Sequence, residues 1–196
     1  MLRTSIALLV LVIRTVTLSY SQQNHNNEVQ RPSPPASASC KFDDGKVIRT
    51  DYSSPRMKGR KIFGGVVPYG QVWRTGANEA TTFVTDSDLS LGGMEIPAGR
   101  YTLFTLPTAD KWTLIISKKT GEAGIPYPEG EDLLRVGMKL SRTQSPVENF
   151  TIAYHKKDNA CTLSLSWENT EATVDLAEKK LCWPTTSPLT YSCPDQ

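Results

Sequence analysis

From Lys46 onward, apolar residues recur at every second position in short runs, and that period dictates strands rather than helices. The runs are Val47 to Tyr52, Ala80 to Thr85, Leu89 to Leu91, Met94 to Ile96, Arg100 to Leu106 and Trp112 to Ser117. Leu134, Val136 and Met138 share one face of a further strand, and Phe150, Ile152 and Tyr154 one face of another. Cys161, Leu163, Leu165 and Trp167 line up next, then Ala172, Val174 and Leu176. Turn residues separate the runs. Gly92-Gly93 is the strongest hairpin signal, because both glycines can take positive φ, and Lys156-Lys157-Asp158-Asn159 reads as another turn. No longer window shows a helical stripe. About nine short strands with frequent turns predict an all-β fold, and their one-sided apolar faces predict an antiparallel β-sandwich in a single domain, residues 40–178.

The first residues follow another logic. Arg3 precedes an apolar run from Ile6 to Ile13, and Ser19-Tyr20-Ser21 offers a small-x-small cleavage pattern. Residues 1–21 therefore read as a signal peptide, with an uncleaved anchor as the alternative. The run is too short for a membrane-spanning helix, which needs about 20 residues. Residues 22–39, rich in Gln, Asn, Ser and Pro, read as a disordered linker. Arg3 and Arg14 are the leader's charged residues, so its removal turns 22 basic against 20 acidic residues into 20 against 20. A neutral mature chain has no general pull towards nucleic acid. The expected location is secreted or periplasmic.

Cys40, Cys161, Cys182 and Cys193 all survive cleavage, an even number in an exported chain, and two disulfides are expected. Cys182 with Cys193 closes a short loop in a Pro-rich tail, residues 179–196, and leaves Cys40 with Cys161. A zinc site is not expected: there is no C-x-x-C pair, and His25 and His155 are the two histidines. No motif implies a cofactor.

Between Tyr52 and Ala80 the alternation breaks into YSSPRMKGRKIFGGVVPYGQVWRTGANEA, with five basic residues (Arg56, Lys58, Arg60, Lys61 and Arg74) and five glycines. A long ordered loop inside a compact β domain often carries function. Its strings Asp51-Tyr52-Ser53-Ser54-Pro55, Lys58-Gly59-Arg60-Lys61-Ile62-Phe63-Gly64-Gly65, Val67-Pro68-Tyr69-Gly70 and Val72-Trp73-Arg74-Thr75-Gly76-Ala77-Asn78-Glu79-Ala80-Thr81 closely resemble the bacterial family called domain of unknown function 2911. Ile96 to Thr105 (IPAGRYTLFT) extends the match, which covers about Lys46 to Leu176. The resemblance implies an exported β-rich domain and supplies no activity. Ser54 departs from the family, in which a basic residue before the proline is common, and the cysteine-bearing tail is an addition.

Two readings of the loop compete. In the first, Tyr52, Arg56, Lys58, Trp73, Arg74, Asn78 and Glu79 form a ligand site: Trp73 stacks, Arg74 donates a fork of hydrogen bonds, Asn78 and Glu79 complete a polar ring, and the basic run binds an anion. In the second the motif is a packed corner, with Arg74 paired to Glu79 and Asn78 bonded to its own backbone. Catalytic motifs are missing: no G-x-S-x-G elbow, P-loop or H-E-x-x-H occurs. Asn149-Phe150-Thr151 is a glycosylation sequon by pattern, read as a chance match with Phe150 facing the core. The leading expectation is an exported module that binds a carbohydrate or small anion. The alternatives are a glycoside or ester hydrolase using Glu79 or Asp51, and an envelope protein that binds a protein partner.

Overall fold

The computed structural model describes residues 31–179 together with 183–184 and 191–192. Nine strands build its main sheet: β1 (Pro35–Lys41), β2 (Val47–Ser53), β3 (Thr81–Thr85), β4 (Leu89–Leu91), β5 (Met94–Ile96), β6 (Gly99–Pro107), β7 (Trp112–Ser117), β8 (Asp132–Lys157) and β9 (Ala160–Glu178). They pair antiparallel in the order β1-β2-β3-β6-β7-β8-β9-β4-β5, and no helix occurs among the described residues. A separate pair joins β10 (Trp183–Pro184) to β11 (Tyr191–Ser192) in the tail. Cys182 and Cys193, and the expected leader, lie outside the described residues.

One strand makes this sheet two-layered. The first part of β8 pairs with β7 from Asp132 to Met138, and from Lys139 onward β8 pairs with β9. β8 thus leaves one layer and continues in the other, and β1, at the far end of the strand order, comes into contact with it. The Cys40–Cys161 disulfide ties β1 to β9, and the Thr50 and Tyr154 hydroxyls meet at 2.6 Å between β2 and β8. The core holds fully buried Phe83, Leu103, Leu114, Leu163, Phe150 and Trp167, drawn from both layers. Each such side chain contributes about 1.5–3 kcal/mol on leaving water.

The structure merges elements that the sequence pattern separates. The runs around Val136 and Ile152 are one 26-residue strand, and those around Leu163 and Val174 form one 19-residue strand. The register slips between Arg142 and Val147 and again before Thr151, opposite Glu168, whose φ is +54°. These bulges absorb Pro146, which has no N–H for the ladder, without ending the strand. A second difference is at the start: residues 35–39, expected in a disordered linker, belong to β1. Ala36, Ala38 and Cys40 turn inward at alternate positions, a period too weak in hydrophobicity to stand out. Backbone pairing with β2 and the disulfide hold this edge strand instead. The Gly92-Gly93 turn is as expected, with φ of +56° and +81°.

Candidate functional site

The loop from Ser54 to Ala80 first crosses between layers. Met57 N donates to Glu148 O at 2.7 Å and Phe150 N donates to Pro55 O at 2.8 Å, so residues 55–57 cover the free edge of β8. Tyr52 and Ser54 finish that edge: Ile152 N donates to the Tyr52 hydroxyl at 3.0 Å, and the Ser54 hydroxyl donates to Phe150 O at 2.6 Å. Ser54 is buried, so the residue that departs from the family pattern satisfies a backbone carbonyl here.

The Trp73 motif then folds inward. Trp73 exchanges two backbone hydrogen bonds with Thr105, at 2.7 and 2.8 Å. Its ring stacks on Trp167 with centroids 5.8 Å apart and packs edge-on to Phe150 and Phe63. The indole N–H donates to Gly76 O at 3.0 Å, so the ring's polar edge is spent within the motif. Thr75 is fully buried at φ +56°, a costly conformation for a β-branched residue. Its hydroxyl donates to that of Thr105 at 3.1 Å, and its carbonyl accepts from the Thr81 hydroxyl at 2.7 Å. At Gly76 a Cβ would lie 3.0 Å from the Thr81 hydroxyl and 3.1 Å from Ser53 O.

The polar residues of the motif point elsewhere than the packed-corner reading expected. Arg74 donates to Ala123 O at 3.2 Å, while Glu79 pairs with Arg31 at 2.6 Å. Asn78 holds φ +57° and donates to Ser33 O at 3.1 Å instead of bonding its own backbone. Asn78 and Glu79 line an open groove of about 670 Å³ with Arg31, Thr82 and Glu122. A smaller depression of about 200 Å³ joins Glu79 and Thr82 to Asp51 and Tyr52. Both carboxylates suggested for hydrolysis therefore border one furrow. Glu79 is held below the usual carboxylate range by its own backbone N–H and by Arg31, and Asp51 by its hydrogen bonds to Arg49. A glycosidic acid needs the opposite shift.

Arg56 and Lys58 lie apart from this furrow. Arg56 bridges Asn149 through its backbone, and Lys58 N donates to a Glu148 carboxylate oxygen at 2.9 Å, leaving both side chains exposed. The seven candidates thus divide between three places: Tyr52 and Trp73 against the core, Arg74, Asn78 and Glu79 along the furrow and its flank, and Arg56 and Lys58 on the basic run.

A second cleft, of about 590 Å³, opens beside that run. Lys61, Phe63 and Tyr69 of the loop face Asp110, Arg142 and Glu168 across it, with Ser141, Asn169 and Thr170 among its walls. Tyr69 is 44% exposed, the exception in a loop whose other aromatic rings are packed. A Cβ on Gly64 would stand 2.8 Å from its ring, so one side of the tyrosine rests on glycine backbone. Of this cleft the sequence singles out Lys61, in the basic run, and Tyr69, in the Val-Pro-Tyr-Gly string. Its other walls come from residues 110, 142 and 168, which only the fold brings together.

A family model described as "Protein of unknown function (DUF2911)" matches residues 33–176. The chain belongs to the DUF2911 family. The match begins just before β1, in keeping with the place of residues 35–39 in the sheet of this DUF2911 domain. No curated protein matches the chain, and no solved structure does. Among the described residues no group of His, Cys, Asp or Glu is arranged to hold a metal ion, and no helix is long and apolar enough to cross a membrane.

Proposed function

We propose that this DUF2911 protein is an exported glycan-binding module whose ligand lies in the Tyr69 cleft. The observation that carries this reading is an exposed tyrosine beside a cleft lined by basic, acidic, amide and hydroxyl residues. An aromatic face takes up the apolar side of a sugar ring, and surrounding donors and acceptors take its hydroxyls. Lys61, Arg142 and Asn169 donate; Asp110, Glu168 and the Ser141 and Thr170 hydroxyls accept. Two carboxylates inside the cleft repel a small bare anion, so a polyhydroxylated ligand fits its interior better than phosphate does. Export rests on the leader pattern and on the Cys40–Cys161 disulfide, a bond that persists in oxidising compartments. Binding is favoured over hydrolysis because Asp51 and Glu79 are both arginine-paired and ionised.

The test is a glycan array with thermal shift on residues 22–196, run beside Tyr69→Ala and Trp73→Ala. A glycan should stabilise the wild type and the Trp73→Ala protein below its lowered melting point, and should leave Tyr69→Ala unshifted. If no glycan shifts the wild type, the reading fails and the partner-binding alternative takes its place.

A further inference from the structure

Resting on that reading, we infer that the glycan is acidic: one ring sits at Tyr69, and carboxylate or sulfate groups along the same chain are held by the basic run Arg56–Lys61. Four cations fall within these six residues, a density found nowhere else in the sequence. All four side chains are exposed. Arg60 folds back to donate to Arg56 O at 2.7 Å and Met57 O at 3.1 Å, which stiffens the run without neutralising it. None of the four has an ion-pair partner among the described residues, and neither does Arg142 on the opposite wall of the cleft. Arg31, Lys46, Arg49 and Arg135 each meet a carboxylate, whereas cations such as Arg100 and Lys139 stand unpaired singly among the described residues; what sets the run apart is four unpaired cations in six residues.

The patch is continuous with the cleft because Lys61 belongs to both. Its negative neighbours are few. Glu148 on β8 accepts from Lys58 N, and Asp110 and Glu168 lie within the cleft. Glu171, which accepts from the Ser141 hydroxyl of the cleft wall at 3.1 Å, is a fourth, and five cations against four carboxylates still leave a local positive excess in a mature chain whose formal charge is balanced. That excess lies beyond the charge-balanced interior, so a polymer with neutral ring faces and spaced negative groups matches both parts. A neutral glycan would leave the basic run without a role, and a compact anion would leave Tyr69 without one.

The experiment is titration calorimetry of residues 22–196 with three oligosaccharides of equal length: an oligouronate, a sulfated glycosaminoglycan fragment and a neutral glucan. The expected result is that an acidic oligomer binds about ten-fold or more tighter than the glucan at low salt, and loses that advantage as ionic strength rises to about 0.15 M and beyond. The relative strength of the uronate and the sulfated fragment identifies the acidic group. The triple variant R56Q/K58Q/K61Q removes side chains that make no hydrogen bond among the described residues, so it should melt like the wild type. It should bind acidic oligomers with the weak, salt-insensitive affinity of the glucan, whereas Tyr69→Ala should bind neither. Equal binding of all three oligomers, unchanged in the triple variant, overturns the acidic assignment and leaves the glycan-binding reading standing. Absence of binding to any oligomer overturns both, as does binding of anionic phospholipid vesicles without binding of oligosaccharide.

Discussion

Residues 58–70 and residues 73–80 belong to one loop and both bury apolar side chains, yet the fold leaves Tyr69 and the cations of the first at the surface while it turns Trp73 of the second inward. In the second stretch the aromatic ring is stacked on Trp167 and the threonine is buried at positive φ. Trp73, Arg74, Thr75, Asn78 and Glu79 there each have a hydrogen-bond or ion-pair partner, at Gly76 O, Ala123 O, Thr105, Ser33 O and Arg31. In the first stretch Tyr69 is exposed, and among the described residues Lys58, Arg60 and Lys61 have no ion-pair partner. The difference teaches that a Trp-Arg pair set among glycines is no better evidence of a ligand face than of a packed corner. What separates the two is whether the motif's own hydrogen bonds are already used.

The comparison breaks most visibly if Trp73→Ala leaves stability untouched. Its loss from a four-ring cluster should cost about 3 kcal/mol or more, read as a lower urea midpoint with an unchanged slope. Next comes Gly76→Ala. The added methyl would press on Ser53 O, which is backbone and cannot swing away, so a loss of about 2 kcal/mol is expected by the same measurement. A result near zero would mean the corner is looser than its contacts imply.

A pH titration sharpens the comparison from another side. The segment that receives Arg74 at Ala123 is held by Tyr127, which packs on Phe104 and donates to Asp132, with Arg135 joining both. Burial and then the Asp132 contact push the Tyr127 hydroxyl up from 10 to about 12. The folded state thus favours its protonated form. Its contribution is whole below the unfolded value and is lost as pH rises through the folded one, a window of about pH 10 to 12. The gap in melting temperature between wild type and Tyr127→Phe should shrink across that window; a constant gap would remove the hydroxyl from the account. The smallest stability effect belongs to Tyr69→Ala, within about 0.5 kcal/mol by urea melt, since the ring is half in solvent. A large loss there would make the cleft part of the scaffold.

Much of the fold was legible because a pleated strand imposes a period of two, and Trp112–Ser117 and the Gly92-Gly93 hairpin fall where that period and the turn chemistry put them. β1 was not legible, because Pro-Ala-Ser-Ala-Ser has no hydrophobic contrast and is held by backbone pairing and a remote cysteine. The long reach of β8 was hidden by Pro146, which a bulge accommodates. At the site, the loop itself was visible as a break in alternation and the packed corner at Trp73 was one of the two readings it offered, but the partners of Arg74, Asn78 and Glu79 were not legible.

Sequence alone determined the all-β class, the family, the positions of most turns and the loop that stands apart from them, since each rests on local pattern. Only the tertiary structure decided that β8 serves both layers, that Cys40 meets Cys161, and that Asp110, Arg142 and Glu168 stand across from Tyr69. Those facts depend on contacts between residues far apart in the chain. Side-chain period fixes which face of a strand turns inward, but it carries no information about which distant strand that face will meet.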